Sequence, residues 1–169
     1  SQSFIEAAGN VYKDLANYQD KLNFRVQNDV NDINRIGKEI HELNTKIRSI
    51  EAGGIENAND YKDRRNQLLD ELSEKCKITY NDDFFGNVLV KIEGHDFVQM
   101  DRVNEMAYQL EDESGFYKVY WPDMAKYTLD INGNKVYNPD SSPVFDLELP
   151  ISSAADTDIG SLKSVLLAS

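Results

Sequence analysis

The sequence contains few side chains suited to nucleophilic or metal chemistry: two histidines, His41 and His95, and one cysteine, Cys76. Neither histidine has a cysteine or carboxylate at metal-ligand spacing together with a second histidine, which favours structural or solvated roles for both. Cys76 closes the apolar stripe of a predicted helix and is most simply a small hydrophobic side chain. A nucleophilic cysteine would need a base and an orienting group, and the sequence offers neither.

Carboxylates are abundant, with 30 aspartates and glutamates, so chance acidic pairs are expected and do not indicate an acid–base site. The segment DINGN at 130–134 faintly resembles a calcium-binding loop. However, its glycine comes fourth instead of sixth, and no glutamate follows at the twelfth position. A turn is the better interpretation. No phosphate loop or dinucleotide fingerprint occurs. We therefore predict no catalytic site, no metal site and no cofactor.

An aromatic group in the second half of the chain could form a ligand-binding surface. On alternating strands such a group is more often divided between the core and an exposed face, and we favour that interpretation. Its members are Phe116, Tyr117, Tyr120, Trp121, Tyr127 and Tyr137.

The composition argues against several classes of function. A net charge of −12 disfavours nucleic acid as a partner, because neutralising phosphates needs clustered lysines and arginines. The same charge disfavours binding to an anionic membrane surface, and no apolar run of about 18 residues could span a bilayer. The N-terminus lacks the basic and apolar regions of a secretory signal. A charged fraction of 28% favours an elongated shape.

Heptad spacing of apolar residues predicts one long helix over residues 3–52. The steps of its stripe alternate between three and four, with a local stutter, and no proline interrupts them. The glycines of AGG at 52–54 end the helix. We call the first part of this stripe the assembly seam. Its residues are Phe4, Val11, Leu15, Leu22, Val26 and Val30.

A second helix is predicted over residues 57–76, with Asn57 or Asn59 as its N-cap, and the short turn makes the two helices an antiparallel hairpin. Arg65 falls among the apolar residues of this helix and is expected near Glu39 and Glu42. Two interpretations remain open. Either the methylene stem of Arg65 covers the apolar stripe while its guanidinium binds a carboxylate, or Arg65 contacts another subunit.

The two helices differ in length. At about 1.5 Å per residue the first reaches roughly 75 Å and the second about 30 Å, so the second can shield only residues near 33–50. The assembly seam is therefore expected to need cover from another part of the protein or from another subunit. Apolar helical patterns run into both ends of the sequence, so we expect a fragment of a longer protein.

From Lys77 the apolar pattern changes to that of strands. The segments KITY, NVLVKI and DFVQM predict a β-hairpin extension over residues 77–103. An outer β domain is predicted over residues 104–150. Its strands are expected in MAYQL, in FYKVYW, in a hairpin centred on Asn132-Gly133 and in VFDLEL. Segment 151–169 is expected to form a helix that packs back on the two-helix hairpin of residues 1–76. The fold class is α+β: a long antiparallel helical hairpin (residues 1–76, the stalk) with an inserted antiparallel β domain and a short returning C-terminal helix.

Two stretches of this sequence closely resemble the flagellar hook-associated protein 1 family. The first is INRIGKEIHELNTKIRSIEAGGIENANDYKDRRNQLLDELSEKCKIT, and FGNVLVKIEGHDFV follows it. The ending IGSLKSVLLAS resembles the helix by which that family returns to its stalk. The positions that match the family's second-helix motif are Ala58, Asn59, Asp60, Asp63, Arg65, Leu68, Leu69, Asp70, Glu71, Leu72 and Ser73. Residues 104–150 match no motif, as expected for a variable outer domain.

The resemblance implies a structural subunit of the bacterial flagellum, an adaptor at the hook–filament junction that is not an enzyme. It further implies an extracellular location, with type III export and no cleaved signal peptide. The implied partners are copies of itself in a ring, the hook protein, the second junction protein and an export chaperone. The family's terminal helices would be missing here, and the absent C-terminal helix would cover the assembly seam. Arg65 would belong to the internal packing of the stalk.

Two other hypotheses differ in what they require. A secreted or phage-tail-like coiled-coil protein whose β domain is a surface ligand-binding module would need an exposed aromatic patch around residues 117–121. An enzyme within residues 104–150 would need converging carboxylates or histidines, and His95 is the only histidine near that region.

Overall fold

A computed structural model describes residues 1–54, 57–147 and 160–168 of the chain. In chain order, helix α1 (Gln2–Ala52) is followed by α2 (Asn59–Lys75) and by strands β1 (Ile78–Asp82), β2 (Val88–Ile92) and β3 (His95–Val98). Strands β4 (Ala107–Leu110), β5 (Tyr117–Tyr120), β6 (Tyr127–Leu129) and β7 (Lys135–Tyr137) come next. A 3₁₀ turn (Pro139–Ser141) and helix α3 (Ser161–Leu167) complete the described elements. The fold is α+β, as predicted.

Local signals set the ends of α1. The hydroxyl of Ser1 accepts a hydrogen bond from the Phe4 amide and caps the first turn. At the other end Gly54 has a φ of +66°, the left-handed conformation that glycine adopts most readily after a helix. The predicted cap of α2 is wrong. Ala58 occupies the N-cap position without a side-chain hydrogen bond, because the chain enters α2 with the Ala58 methyl buried in the core.

The core lies between α1 and α2 and continues into the first sheet. Ile33, Ile36 and Ile40 of α1 are fully buried with Leu68 and Leu72 of α2. Burial of each such side chain contributes about 1.5–3 kcal/mol.

Gly37 lies in the middle of this face, where glycine would ordinarily weaken a helix. The ring of Phe97 on β3 packs against it so closely that a Cβ at this position would lie 2.4 Å from the ring. Gly37 therefore admits Phe97 against the α1 backbone.

The seven described strands form three small antiparallel sheets. Strands β1, β2 and β3 make one sheet in that order, and a register shift interrupts the β2–β3 pairing between Val90 and Lys91. The other two sheets are the hairpins β4–β5 and β6–β7. The expected last strand at 144–149 is wrong over residues 144–147, which form no strand. Instead, the Val144 amide donates a hydrogen bond to the Val119 carbonyl. Residues 148 and 149 lie outside the described residues.

Helix α3 packs against both α1 and α2. Gly160, at its N-cap, approaches the end of α2 so closely that a Cβ there would lie 2.5 Å from the Lys75 carbonyl oxygen. Leu162, Val165 and Leu166 then join the main core. The returning helix thus packs on the stalk as the pattern predicted.

Candidate functional site

The guanidinium of Arg65 lies at the junction of both helices and the first sheet. Only 6% of the residue is exposed. Its Nη1 donates to the side-chain oxygen of Asn44 at 2.9 Å and to the Gly86 carbonyl at 3.1 Å. Burial lowers the pKa of Arg65, and the carboxylates of Asp82 and Glu51 oppose that shift. Arg65 therefore joins α2 to α1 and to the turn between β1 and β2.

A polar network extends from this arginine along α1. The amide of Asn44 donates to the Val88 carbonyl at 3.0 Å and accepts from the Val88 amide at 3.1 Å. One turn further on, Arg48 donates to the side chain of Asn87 at 2.9 Å. Asn87 in turn donates to Asp83 through its backbone and its side chain. Asn44 and Arg48 of α1 therefore bind Val88, at the start of β2, and Asn87 just before it.

The prediction that Arg65 binds a carboxylate is wrong. Its stem is buried as expected, but its acceptors are an amide oxygen and a backbone carbonyl. The neighbouring Arg64 instead forms an ion pair with Glu39, with 3.1 Å between Nε and Oε1. The difference arises because Arg65 faces the β1–β2 turn, whose position relative to the helices is a tertiary property. A contact between Arg65 and another subunit stays a prediction.

Five further positions of the second-helix motif, which with Arg65 we predict to form a structural motif of the stalk, divide into two groups. They are Asp63, Leu68, Leu69, Asp70 and Leu72. Leu68, Leu69 and Leu72 are buried in the core between the helices. Asp63 and Asp70 are exposed on the opposite side of α2. The motif therefore combines the packing face of α2 with a solvated face, and Arg65 adds the polar link to the sheet.

A row of amide side chains on α1, missed by the sequence analysis, binds the β4–β5 hairpin. Asn23 donates to the Gly115 carbonyl at 2.8 Å and accepts from the Tyr117 amide at 3.3 Å. Asn34 does the same with the carbonyl and amide of Met106, at 2.9 and 3.0 Å.

Two glutamines extend the row. Gln19 and Gln27 donate to the Ser114 carbonyl and the Tyr117 hydroxyl. The signal was the recurrence of Gln or Asn at 19, 23, 27 and 34 beside the apolar stripe.

The assembly seam is divided by this packing. Phe4, Val11 and Leu15 are exposed, with 73% of Phe4 accessible. The prediction that the whole seam lacks a partner within this chain is wrong for the other three, Leu22, Val26 and Val30, which are buried. They belong to a core that includes Val119 of β5 and side chains of α3. The length of α2 alone underestimated the cover, because the β4–β5 hairpin and α3 lie against α1.

Among the described residues, neither histidine belongs to a group of three or more His, Cys, Asp or Glu side chains that could hold a metal ion. His95 stacks on Trp121 at 4.4 Å between ring centroids and lies 2.9 Å from Asp123. His41 lies beside the Met100 carbonyl. Segment DINGN is a turn in which Asp130 accepts from the amides at 132 and 134.

The aromatic group is divided as expected. Tyr120 and Trp121 are buried, whereas half of Tyr127 is exposed.

No described helix is both long enough and apolar enough to cross a membrane.

Comparisons with known proteins agree with this architecture. Residues 1–136 match the model of the flagellar hook-associated protein FlgK helical domain. The solved structure of the flagellar hook junction protein FlgK from Burkholderia pseudomallei superposes with a TM-score of 0.63 at 20% sequence identity. That match covers 95% of this chain and 25% of that protein, so the chain spans about a quarter of its length. A search of curated proteins gives no match.

The structural likeness concerns the fold, and the family model covers most of the chain. The resemblance noted in the sequence is confirmed: this chain belongs to the flagellar hook-associated protein FlgK family.

Proposed function

We propose that this chain is the stalk portion of a structural subunit of the bacterial flagellum, which acts as an adaptor at the hook–filament junction and not as an enzyme. The observation that carries the proposal is the match of residues 1–136 to the FlgK helical domain. The protein from Burkholderia pseudomallei, with which the chain shares its fold, is described as a flagellar hook junction protein.

The exposed end of the assembly seam is consistent with a subunit that packs against further protein. Phe4, Val11 and Leu15 recur along one side of α1 and are exposed. Contiguous apolar surface of this kind marks an interaction site. We assign it to a helix from the rest of the same polypeptide, because the related FlgK structure is about four times as long as this chain. The stalk would then be a bundle of α1, α2, α3 and that further helix.

The proposed partners follow from the family. They are other copies of the chain arranged in a ring, the hook protein, the second junction protein and an export chaperone. The proposed location is extracellular, after export without a cleaved signal peptide. Residues 1–76 would form the stalk, residues 77–103 its β extension and residues 104–150 an outer domain. Residues 151–169 would return the chain to the stalk.

Immunogold electron microscopy tests the location directly. Antibody raised against this chain is applied to flagellated source cells, and cells lacking the gene serve as the control. A tight band of gold where hook meets filament is the expected result. Gold spread over the cell surface, or along the whole filament, would contradict the adaptor role. A surface ligand-binding protein would give the first of those patterns.

A further inference from the structure

The turn between β6 and β7 places Asn132 directly before Gly133, the single Asn-Gly pair of the sequence. Both residues are exposed. The backbone amide of Asn132 donates to Asp130, whereas its side-chain amide forms no hydrogen bond with any residue that the structure describes. A Cβ at Gly133 would meet no atom within 4 Å. No neighbouring side chain therefore shields the Asn132 side chain or the Gly133 nitrogen.

An asparagine followed by glycine is chemically labile, because the glycine nitrogen lies close in the chain to the asparagine side chain and carries no bulky neighbour. Once deprotonated, the Gly133 nitrogen attacks the side-chain carbonyl carbon, Cγ, of Asn132 and closes a five-membered succinimide ring. The bond from Cγ to the side-chain nitrogen breaks, and ammonia leaves. Water then opens the ring at either carbonyl, which gives aspartate or isoaspartate. The reaction consumes water alone and needs no cofactor or oxidant.

The folded turn protects this nucleophile. The Gly133 amide donates to the Asp130 carbonyl at 3.0 Å. The Asp130 carboxylate also accepts from the amides of Asn132 and Asn134, at 2.9 and 2.8 Å. An amide held in such a hydrogen bond keeps its proton until the local structure opens. Reaction at Asn132 therefore requires the turn to open first.

The hairpin that carries this turn is suited to local opening. Strands β6 and β7 pair only with each other among the described strands, and all three residues of β6 are exposed. A two-stranded hairpin without a larger sheet or a covering helix is marginally stable. Segments with little burial open at a low free energy while the rest of a protein stays folded. The Gly133 amide is therefore released without unfolding of the stalk.

We propose that Asn132 is a deamidation site whose rate is set by the opening of the β6–β7 hairpin. Both products place a new carboxylate two residues from Asp130. Isoaspartate also adds one carbon atom to the backbone, which disturbs the turn that sets the pairing of β6 with β7. Because ammonia is lost, the change is one-way and accumulates with the time that the hairpin spends open. The inference goes beyond the proposed role in the flagellum and does not depend on it.

Peptide mapping by mass spectrometry, with enzymatic labelling of isoaspartate, tests the proposal on the purified chain. Conversion is expected at Asn132, and it should be faster in mildly alkaline than in neutral buffer, because the attacking amide must lose its proton. Asn134 lies in the same loop but precedes Lys135, whose side chain hinders attack, and should stay unmodified. Asp130→Ala removes two acceptor bonds of the turn and should speed conversion of Asn132 about tenfold.

The matched control is Asp83→Ala. Asp83 accepts from the amides of Phe85 and Asn87 in the turn between β1 and β2, so this variant loosens a similar turn elsewhere and should leave the rate at Asn132 unchanged. Circular dichroism confirms that each variant is folded. Hydrogen exchange of the β6 amides should rise in Asp130→Ala and not in the control.

Two results would overturn the proposal. One is an Asn132 that stays intact in the folded chain while the urea-unfolded chain converts there. The other is an Asp130→Ala variant whose hairpin exchanges faster but whose Asn132 converts at the unaltered rate. Neither result bears on the immunogold label at the hook–filament junction, so failure of this inference is distinguishable from failure of the proposed function.

Discussion

Replacement of Arg65 by alanine tests whether the buried guanidinium holds the stalk and the sheet together. The variant removes the donor to Asn44 and the donor to the Gly86 carbonyl. It also removes a stem that is packed in the core. The Asn44 side chain stays buried, where an unmade hydrogen bond carries a desolvation cost, whereas the exposed Gly86 can be solvated.

The magnitude follows from opposing effects. Hydrogen bonds from a charged donor contribute about 1.5–3 kcal/mol each. Against them stands the cost of burying the charge, which is visible in the lowered pKa of Arg65 and in its Nε atom, which has no hydrogen-bond partner. We therefore expect Arg65→Ala to lower the free energy of unfolding by about 2–4 kcal/mol. For a chain of this size that corresponds to a fall in Tm of about 5–15 °C.

Thermal and urea denaturation measure the effect, and Arg64→Ala is the matched control. Arg64 is the adjacent arginine, partly exposed, and paired with Glu39. Surface ion pairs contribute about 1 kcal/mol or less, so this control should lose little. Arg65→Lys keeps the charge but lacks the planar fork, and should fall between wild type and Arg65→Ala. If Arg65→Ala costs no more than Arg64→Ala, the internal role is refuted and a contact with another subunit becomes the better account.

Three further variants test other parts of the fold. Gly37→Ala should lower the free energy of unfolding by about 1–3 kcal/mol, since overpacking against Phe97 outweighs the better helix propensity of alanine. In a double-mutant cycle, Gly37→Ala should cost less free energy of unfolding when Phe97 is already leucine. Although desolvation opposes it, hydrogen bonding from Asn87 and Phe85 lowers the pKa of Asp83. The stability that the Asp83 carboxylate confers is therefore present above its pKa in the unfolded chain. It is lost as the pH falls through its pKa in the folded protein. Hence Asp83→Asn should flatten the fall of Tm below about pH 4. Asn23→Ala should speed amide hydrogen exchange in β5 while leaving β2 protected, because only the β4–β5 hairpin loses its bonds to α1.

The helices could be predicted closely because their signals are local. The apolar spacing runs unbroken to Ile50, and the two glycines after it supply the turn, so α1 ends at Ala52. The hairpin around Asn132-Gly133 also followed from its turn residues, with Gly133 at a φ of +79°. In each case the deciding residues lie within a few positions of the feature that they determine.

The partners of buried polar groups could not be predicted in this way. Arg65 had carboxylates within reach on α1, yet its acceptors include a carbonyl in a turn 21 residues further along the chain. Likewise, the core around Val26 includes side chains from segments far along the chain, and one of these, the β4–β5 hairpin, is bound to α1 by Asn23 and Asn34. Such pairings depend on how the sheet and helices pack, and the spacing within one helix carries no information about them.

Helix α1 presents two neighbouring sides with separate roles. The assembly seam lies on one side, and the amide row of Gln19, Asn23, Gln27 and Asn34 lies beside it. A helix buried on all sides would be apolar throughout, whereas here the amides provide hydrogen bonds where the backbone of the β4–β5 hairpin approaches α1. Where the hairpin and α3 lie against α1, Leu22, Val26 and Val30 are buried, whereas Phe4, Val11 and Leu15 stay exposed among the described residues. The exposed part of the seam is therefore the part of α1 that we expect a further helix of the same polypeptide to cover.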